Sequence, residues 1–357
     1  MQQHTLRGAS VSTFAADFTA FAKNAWNDDG RVGKPALMSC GDAGVTGLPD
    51  KANTVVYLDV PDDHPGVIQI NPNIKFDQVD LDRLLAFAIN REWSREEYES
   101  RRGILLLGPP GTGKTTFLEQ RHAQRGIPVY SVTATPDLTA SDLLQTREVA
   151  GGTTFWEAGV MLRAMEEGVP IIIHEGNLLA PAQLVALNEV IEKGRAILPE
   201  SGDVVHARRG FMVHMTGNGR FTEGGVDGSS GTRSQNTSVE SRFYVYVMPH
   251  ATVEQDEAYL TERFPGLTPP LIKSMAKFAE LTRKANSGND GGVYLDIALD
   301  RRRLELWGEM MIGFSKLSKQ IDLAPYTLGF NYTNSLPADQ VEAVMQLLGV
   351  AFNDSAG

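Results

Sequence analysis

Apolar positions along this chain follow two periods, and the exchange of one for the other divides it. Up to about residue 75, short apolar segments such as Thr54-Val55-Val56-Tyr57-Leu58 stand between Gly- and Pro-rich punctuation, GDAGVTGLPDK and then VPDDHPG. This predicts a small α+β lead-in over 1–75. From Asp80 the spacing of Leu81, Leu84, Leu85, Ala88 and Ile89 is that of an amphipathic helix, and the charged run REWSREEYESRR reads as its continuation on a solvated face. Strand and helix patterns then alternate: strands at 103–107, 129–132, 171–173 and 211–215, helices around 161–167 and 182–193. Such alternation predicts a parallel sheet covered by helices, an α/β unit over 76–249. Before the last of these strands, Ala196-Ile197-Leu198-Pro199 and Val204-Val205-His206 flank the turn Glu200-Ser201-Gly202-Asp203, a hairpin pattern. After Pro249 the strand signals stop and helical spacing runs through 275–282, 301–317 and 339–350, so residues 250–357 are expected to be all-helical. GGVDGSSGTRSQN is the one stretch that reads as a flexible loop.

Charge and composition narrow the class. The 357 residues carry a net charge of -11, which argues against a broad electrostatic footprint for nucleic acid or an anionic membrane; neither is expected as a partner. The single Cys40 excludes an internal disulfide framework and reads as a small core residue in a reducing compartment. No stretch approaches the ~18 consecutive apolar residues of a membrane span, and no basic segment followed by an apolar run opens the chain. A cytoplasmic protein is expected.

The strongest chemical signal follows the strand at 103–107. Gly108-Pro109-Pro110-Gly111-Thr112-Gly113-Lys114-Thr115 satisfies G-x-x-x-x-G-K-[ST] with a strand before it and a helix after it, and Thr116 continues into that helix. Glycines let backbone N–H groups curl around phosphate oxygens, and the helix offers its positive end. Lys114 reaches the terminal phosphates, and Thr115 offers a hydroxyl to Mg²⁺. A nucleotide with Mg²⁺ is the expected ligand.

Past this loop the order of signals resembles the AAA+ ATPases, and more narrowly their MoxR and CobS-like branch. The segments that carry the resemblance are Thr135-Pro136-Asp137-Leu138 with Ser141-Asp142-Leu143-Leu144; Thr154-Phe155-Trp156-Glu157-Ala158-Gly159 leading into 162–168; Ile171-Ile172-Ile173-His174-Glu175-Gly176-Asn177 with 187–192; Met215-Thr216-Gly217-Asn218; and Glu240-Ser241-Arg242-Phe243. The match runs from about residue 80 to about 315, and the first 75 residues lie outside it. The resemblance implies a P-loop AAA+ parallel sheet flanked by helices, an all-helical C-terminal lid, ATP as the nucleotide, and a homo-hexameric ring. It also implies a protein partner carrying a von Willebrand factor A domain. It makes Asn218 a sensor that orients the attacking water and Arg242 an arginine finger reaching the neighbouring subunit's nucleotide, with Arg233 the rival for that role. Arg302 takes the second-sensor position by its spacing to Trp307, although the register among Arg301, Arg302 and Arg303 stays open. The hairpin would face the pore of the ring. The motor of a cobalt chelatase and an activase that reopens an inhibited enzyme are both activities of this kind.

In the motors this chain resembles, the strand at 171–173 ends in Asp-Glu: the Asp helps hold the water shell of Mg²⁺ and the Glu polarises the attacking water. Here the pair reads His174-Glu175. The base survives as Glu175. His174 brings no negative charge, and imidazole suits hard Mg²⁺ poorly, so as a metal-site residue it is a weak substitute. Three readings stay open: slow hydrolysis with Glu175 as base, a nucleotide-gated ring with negligible turnover, and a shifted register in which Glu175 replaces the missing Asp. The remaining histidines form no metal spacing and read as surface or core residues.

Overall fold

The computed structural model describes residues 32–45, 48–198, 201–218, 237–287 and 294–353. The loop 224–236, Arg233, and Pro199 and Glu200 of the expected hairpin turn lie outside them. The described chain divides into two compact units that do not follow chain order. One takes residues up to Leu107, Lys114 to Gly217 and 237 to Tyr246; the other takes Gly108 to Gly113, Asn218 and everything from Val247.

The first unit opens with β1 (Lys34–Ser39) antiparallel to β2 (Asn53–Leu58), in a register that sets Lys34 opposite Leu58 and Ser39 opposite Asn53. Val55, Val56 and Tyr57 are buried, and the Tyr57 hydroxyl donates to the Gly168 carbonyl at 2.8 Å. Residues 32–75 thus join the same compact unit as the sheet. α1 (Val79–Ser94) buries Leu81, Leu85, Ala88, Ile89 and Trp93, the spacing expected of it. The charged run behind it departs from expectation. The helix stops at Ser94; Glu96, Glu97 and Tyr98 are solvated as expected, but Glu92, Arg95 and Arg101 are only 2%, 7% and 3% exposed. The Glu92 carboxylate accepts from Arg95 at 2.9 Å and from Arg101 at 2.5 Å. Arg101 also donates to the carbonyls of Ala207 and Phe211, at 2.8 and 3.0 Å. Burial of these charges is tolerated because each finds partners.

Next come β3 (Ile104–Leu107), α2 (Lys114–Ala123), β4 (Tyr130–Thr133), α3 (Ala140–Leu144), β5 (Gln145–Ala150), β6 (Thr153–Ala158), α4 (Val160–Glu167) and β7 (Ile171–His174). The helix expected over 182–193 is interrupted at Leu187, at φ -83° and ψ -6°, into α5 (Pro181–Ala186) and α6 (Asn188–Lys193). β8 (Arg195–Ile197) and β9 (Val204–His206) pair antiparallel as the hairpin pattern predicts, followed by β10 (Val213–Gly217), α7 (Thr237–Glu240) and β11 (Tyr244–Val247). The central sheet has five strands in the order β11-β3-β10-β7-β4, with β3, β10, β7 and β4 mutually parallel. Every residue of β3 and β10 is buried, as in a sheet covered on both faces. A second hairpin, β5 with β6, was not expected. It turns on Gly151-Gly152, both at positive φ (60° and 78°), the conformation tight two-residue hairpins demand.

In the second unit, α8 (Val253–Arg263), α9 (Pro269–Asn286), α10 (Arg301–Gly313), α11 (Leu323–Asn331) and α12 (Ala338–Asn353) form the expected helical region, with α8 and α11 beyond the helices read from periodicity. Phe278, Trp307, Leu328, Tyr332 and Val344 anchor its core. Asp256, wholly buried, accepts from Arg283 at 2.6 Å and from Arg301 at 3.2 Å, and so ties α8 to α9 and to the start of α10.

Candidate functional site

The chemistry sits where the parallel strands end. Beyond β3 the chain turns through Gly108, Gly111 and Gly113 at φ of 138°, 70° and 90°, values that side-chain-bearing residues avoid. Within the second unit a Cβ at Gly108 would lie 2.3 Å from the Met248 carbonyl oxygen, and one at Gly111 2.5 Å from Asp300 Oδ2. Around Gly113 there is space: a Cβ there would meet nothing within 4 Å. Thr112 Oγ1 closes the turn by donating to the Pro109 carbonyl at 3.0 Å, while Pro110 stands at the surface. Lys114, the first residue of α2, is buried, and Thr115 and Thr116 occupy the first turn. Open backbone at a helix start, with a lysine and a hydroxyl in the first turn, fits a phosphate group with its accompanying Mg²⁺.

At the end of β7, two strands away, the chain works with side chains instead. His174 Nδ1 lies 3.2 Å from Thr115 Oγ1, and its Nε2 lies 3.9 Å from Glu119 Oε1. Both ring nitrogens therefore face protein groups. Burial pushes the His174 imidazole below its ordinary range, and burial pushes the Glu119 carboxyl up. Glu175 follows in the left-handed region, φ 52° and ψ 41°; among the described residues only Asp59 shares a positive φ without being glycine. Such a conformation costs on the order of 1 kcal/mol and persists where the surroundings impose it. The surroundings here are plain: the Glu175 N–H donates to Thr216 Oγ1 of β10 at 3.3 Å, and a Cβ at Gly176 would strike Met215 at 2.3 Å. The neighbouring strand thus sets the direction of Glu175. No cluster of three or more His, Cys, Asp or Glu that could hold a metal occurs among the described residues.

Asn218 directly follows the last residue of β10 and is half-buried. Arg242 lies just ahead of β11, its Nε 3.4 Å from Glu192 Oε2 in α6, so a reach toward another subunit would exchange that ion pair. Of the three arginines opening α10, two are engaged. Arg301 pairs with Asp256 and lies over the Tyr259 ring, and Arg303 lies over Tyr332. Arg302 is exposed and makes no hydrogen bond or ion pair among the described residues. Sequence reasoning missed Glu119, whose only signal was its place one turn after Thr115 on the same helix face.

Between α2 and the sheet, His122 of α2 and His214 of β10 are wholly buried, their rings 5.0 Å apart. His122 Nδ1–H donates to the Leu118 carbonyl at 2.8 Å, and the Ile104 N–H donates to His214 Nδ1 at 3.1 Å. Burial pushes His122 down to about 4 and His214 well below its usual range, so both are neutral.

The model of the AAA domain (dynein-related subfamily) matches residues 103–234, which include the phosphate loop, Glu175 and Asn218. An uncharacterised protein of Staphylococcus haemolyticus is 32% identical over 189 residues, covering 51% of this chain and 69% of that protein. Protein NorQ of Paracoccus denitrificans is 36% identical over 112 residues, 31% of this chain and 41% of its own. Among solved structures, the RuvB Holliday junction branch migration motor of Thermotoga maritima aligns with a TM-score of 0.44 at 14% identity, over 71% of this chain and 69% of that one, too distant a likeness to bear on activity. By its matched domain and its relatives, the chain belongs to the AAA+ ATPase family, with an AAA domain of the dynein-related subfamily.

Proposed function

We propose that this protein is a ring-forming AAA+ ATPase of the MoxR and CobS-like branch. It binds ATP with Mg²⁺, hydrolyses it slowly, and spends the cycle on remodelling a protein partner, one with a von Willebrand factor A domain. The observation that carries the reading is the pairing of an open phosphate loop after β3 with Glu175 held in a left-handed turn after β7 by the strand between them. Similarity to NorQ and to the dynein-related model supports the branch.

In this reading the loop N–H groups and Lys114 hold the phosphates and Thr115 offers its oxygen to Mg²⁺. The bound cation supplies charge neutralisation on the phosphate oxygens. Glu175 takes the proton of the attacking water, Asn218 orients that water, Arg302 acts as second sensor, and Arg242 of one subunit serves the nucleotide of the next. A second reading, a nucleotide-gated ring with negligible turnover, is favoured by one observation: His174 stands where a carboxylate would face the cation. Loss of such a charge in a preorganised site costs roughly ten- to a thousand-fold in rate.

Subunit mixing tests the ring. Arg242→Ala and Glu175→Gln proteins, each inactive alone, should regain part of the phosphate-release rate when combined, because one interface then carries both an intact finger and an intact base. Absence of recovery at matched assembly state would remove the trans role of Arg242.

A further inference from the structure

Thr115 and Glu119 lie one turn apart on the same face of α2, and His174, the last residue of β7, stands beside both. Its Nδ1 is 3.2 Å from Thr115 Oγ1, and its Nε2 is 3.9 Å from Glu119 Oε1. The imidazole and carboxylate side chains are 14% and 28% exposed, sheltered enough for their order to matter.

A threonine hydroxyl has one proton and two lone pairs. To give a lone pair to a cation it must send its proton elsewhere, and His174 Nδ1 is within reach as the acceptor. Nδ1 accepts only when the ring proton is on Nε2, and Nε2 is the nitrogen that faces the Glu119 carboxylate. The carboxylate therefore selects the tautomer that lets Thr115 donate inward and present its oxygen outward. The opposite tautomer would donate Nδ1–H to Thr115 and use up one lone pair, leaving the hydroxyl proton without that acceptor and in competition with the remaining lone pair for the side that faces the cation. The 3.9 Å gap exceeds a direct hydrogen bond and is of a size that a single water or a small turn of Glu119 closes.

We propose that Glu119 is a positioning residue: acting through His174, it fixes the Thr115 hydroxyl with its lone pair toward the cation that accompanies the nucleotide. The negative charge that resembling motors carry on the strand end is carried here on α2, beyond His174. No proton changes hands in this arrangement. The inference rests on the Mg²⁺-nucleotide reading of the loop.

Two measurements test it. In nucleotide-free protein, long-range ¹⁵N–¹H NMR of the imidazoles, with His174 assigned through His174→Asn, should show His174 protonated on Nε2. A proton on Nδ1 overturns the relay. A fluorescent ATP analogue, titrated with excess Mg²⁺ and again in EDTA, gives the factor by which Mg²⁺ tightens binding. Glu119→Gln and Glu119→Ala should shrink that factor by about tenfold, the lower end of what partners of metal-holding side chains contribute. Their affinity in EDTA and their melting temperature should match wild type. An undiminished Mg²⁺ factor in both variants, with nucleotide still binding, overturns the inference alone. Failure of wild type to bind nucleotide under either condition overturns the functional reading and this inference with it.

Discussion

The ends of β3 and β7 belong to one sheet edge and solve their tasks by opposite means. β3 ends in backbone: three glycines at positive φ turn the chain, and a single lysine completes the loop. β7 ends in side chains: an imidazole between a hydroxyl and a carboxylate, then Glu175 turned by a hydrogen bond to Thr216 of the adjacent strand. A backbone cradle tolerates little change in its glycines. A side-chain arrangement can exchange members and keep its direction. That difference explains how the first end reads as complete while the second departs from the acidic pair of the motors it resembles.

The largest effect belongs to the β3 end. Lys114→Ala should abolish nucleotide binding, a loss above roughly a hundredfold in a fluorescent-nucleotide titration, because a buried ammonium facing phosphate is worth several kcal/mol. Unchanged affinity would remove the loop from the account.

A smaller effect lies behind both ends, at His122 and His214. Both are held below the ordinary imidazole range by burial, His122 to about 4. Between that value and about 6.5 the unfolded chain binds more protons than the folded one, so stability is complete above about 6.5 and drains as pH falls toward 4. His122 alone contributes up to about 3 kcal/mol of this. Thermal melts from pH 7.5 to 4.5 should show a falling melting temperature, with a shallower slope in His122→Gln. Equal slopes would place the acid sensitivity elsewhere.

What sequence made legible follows the same division. The phosphate loop is contiguous and its spacing is the motif, so its strand, turn and helix were readable, as were the buried apolar runs of β3, β7 and β10. Glu119 was not, because its meaning depends on a histidine 55 positions away in sequence arriving beside its helix face. Arg101 misled for the same reason: read as solvated, it is buried because carbonyls of Ala207 and Phe211, more than a hundred residues on, receive it. The β5–β6 hairpin had a local signal in Gly151-Gly152 between Val149 and Phe155, overlooked beside the longer helical patterns. Among the described residues no helix is long and apolar enough to cross a membrane.

The most direct test of the central claim is steady-state phosphate release with Mg²⁺ and ATP from wild type, Glu175→Gln and His174→Asp at matched assembly state. The account predicts slow turnover in wild type, none in Glu175→Gln, and faster turnover in His174→Asp. Wild-type release no greater than that of Glu175→Gln would contradict it and leave a protein that does not consume ATP.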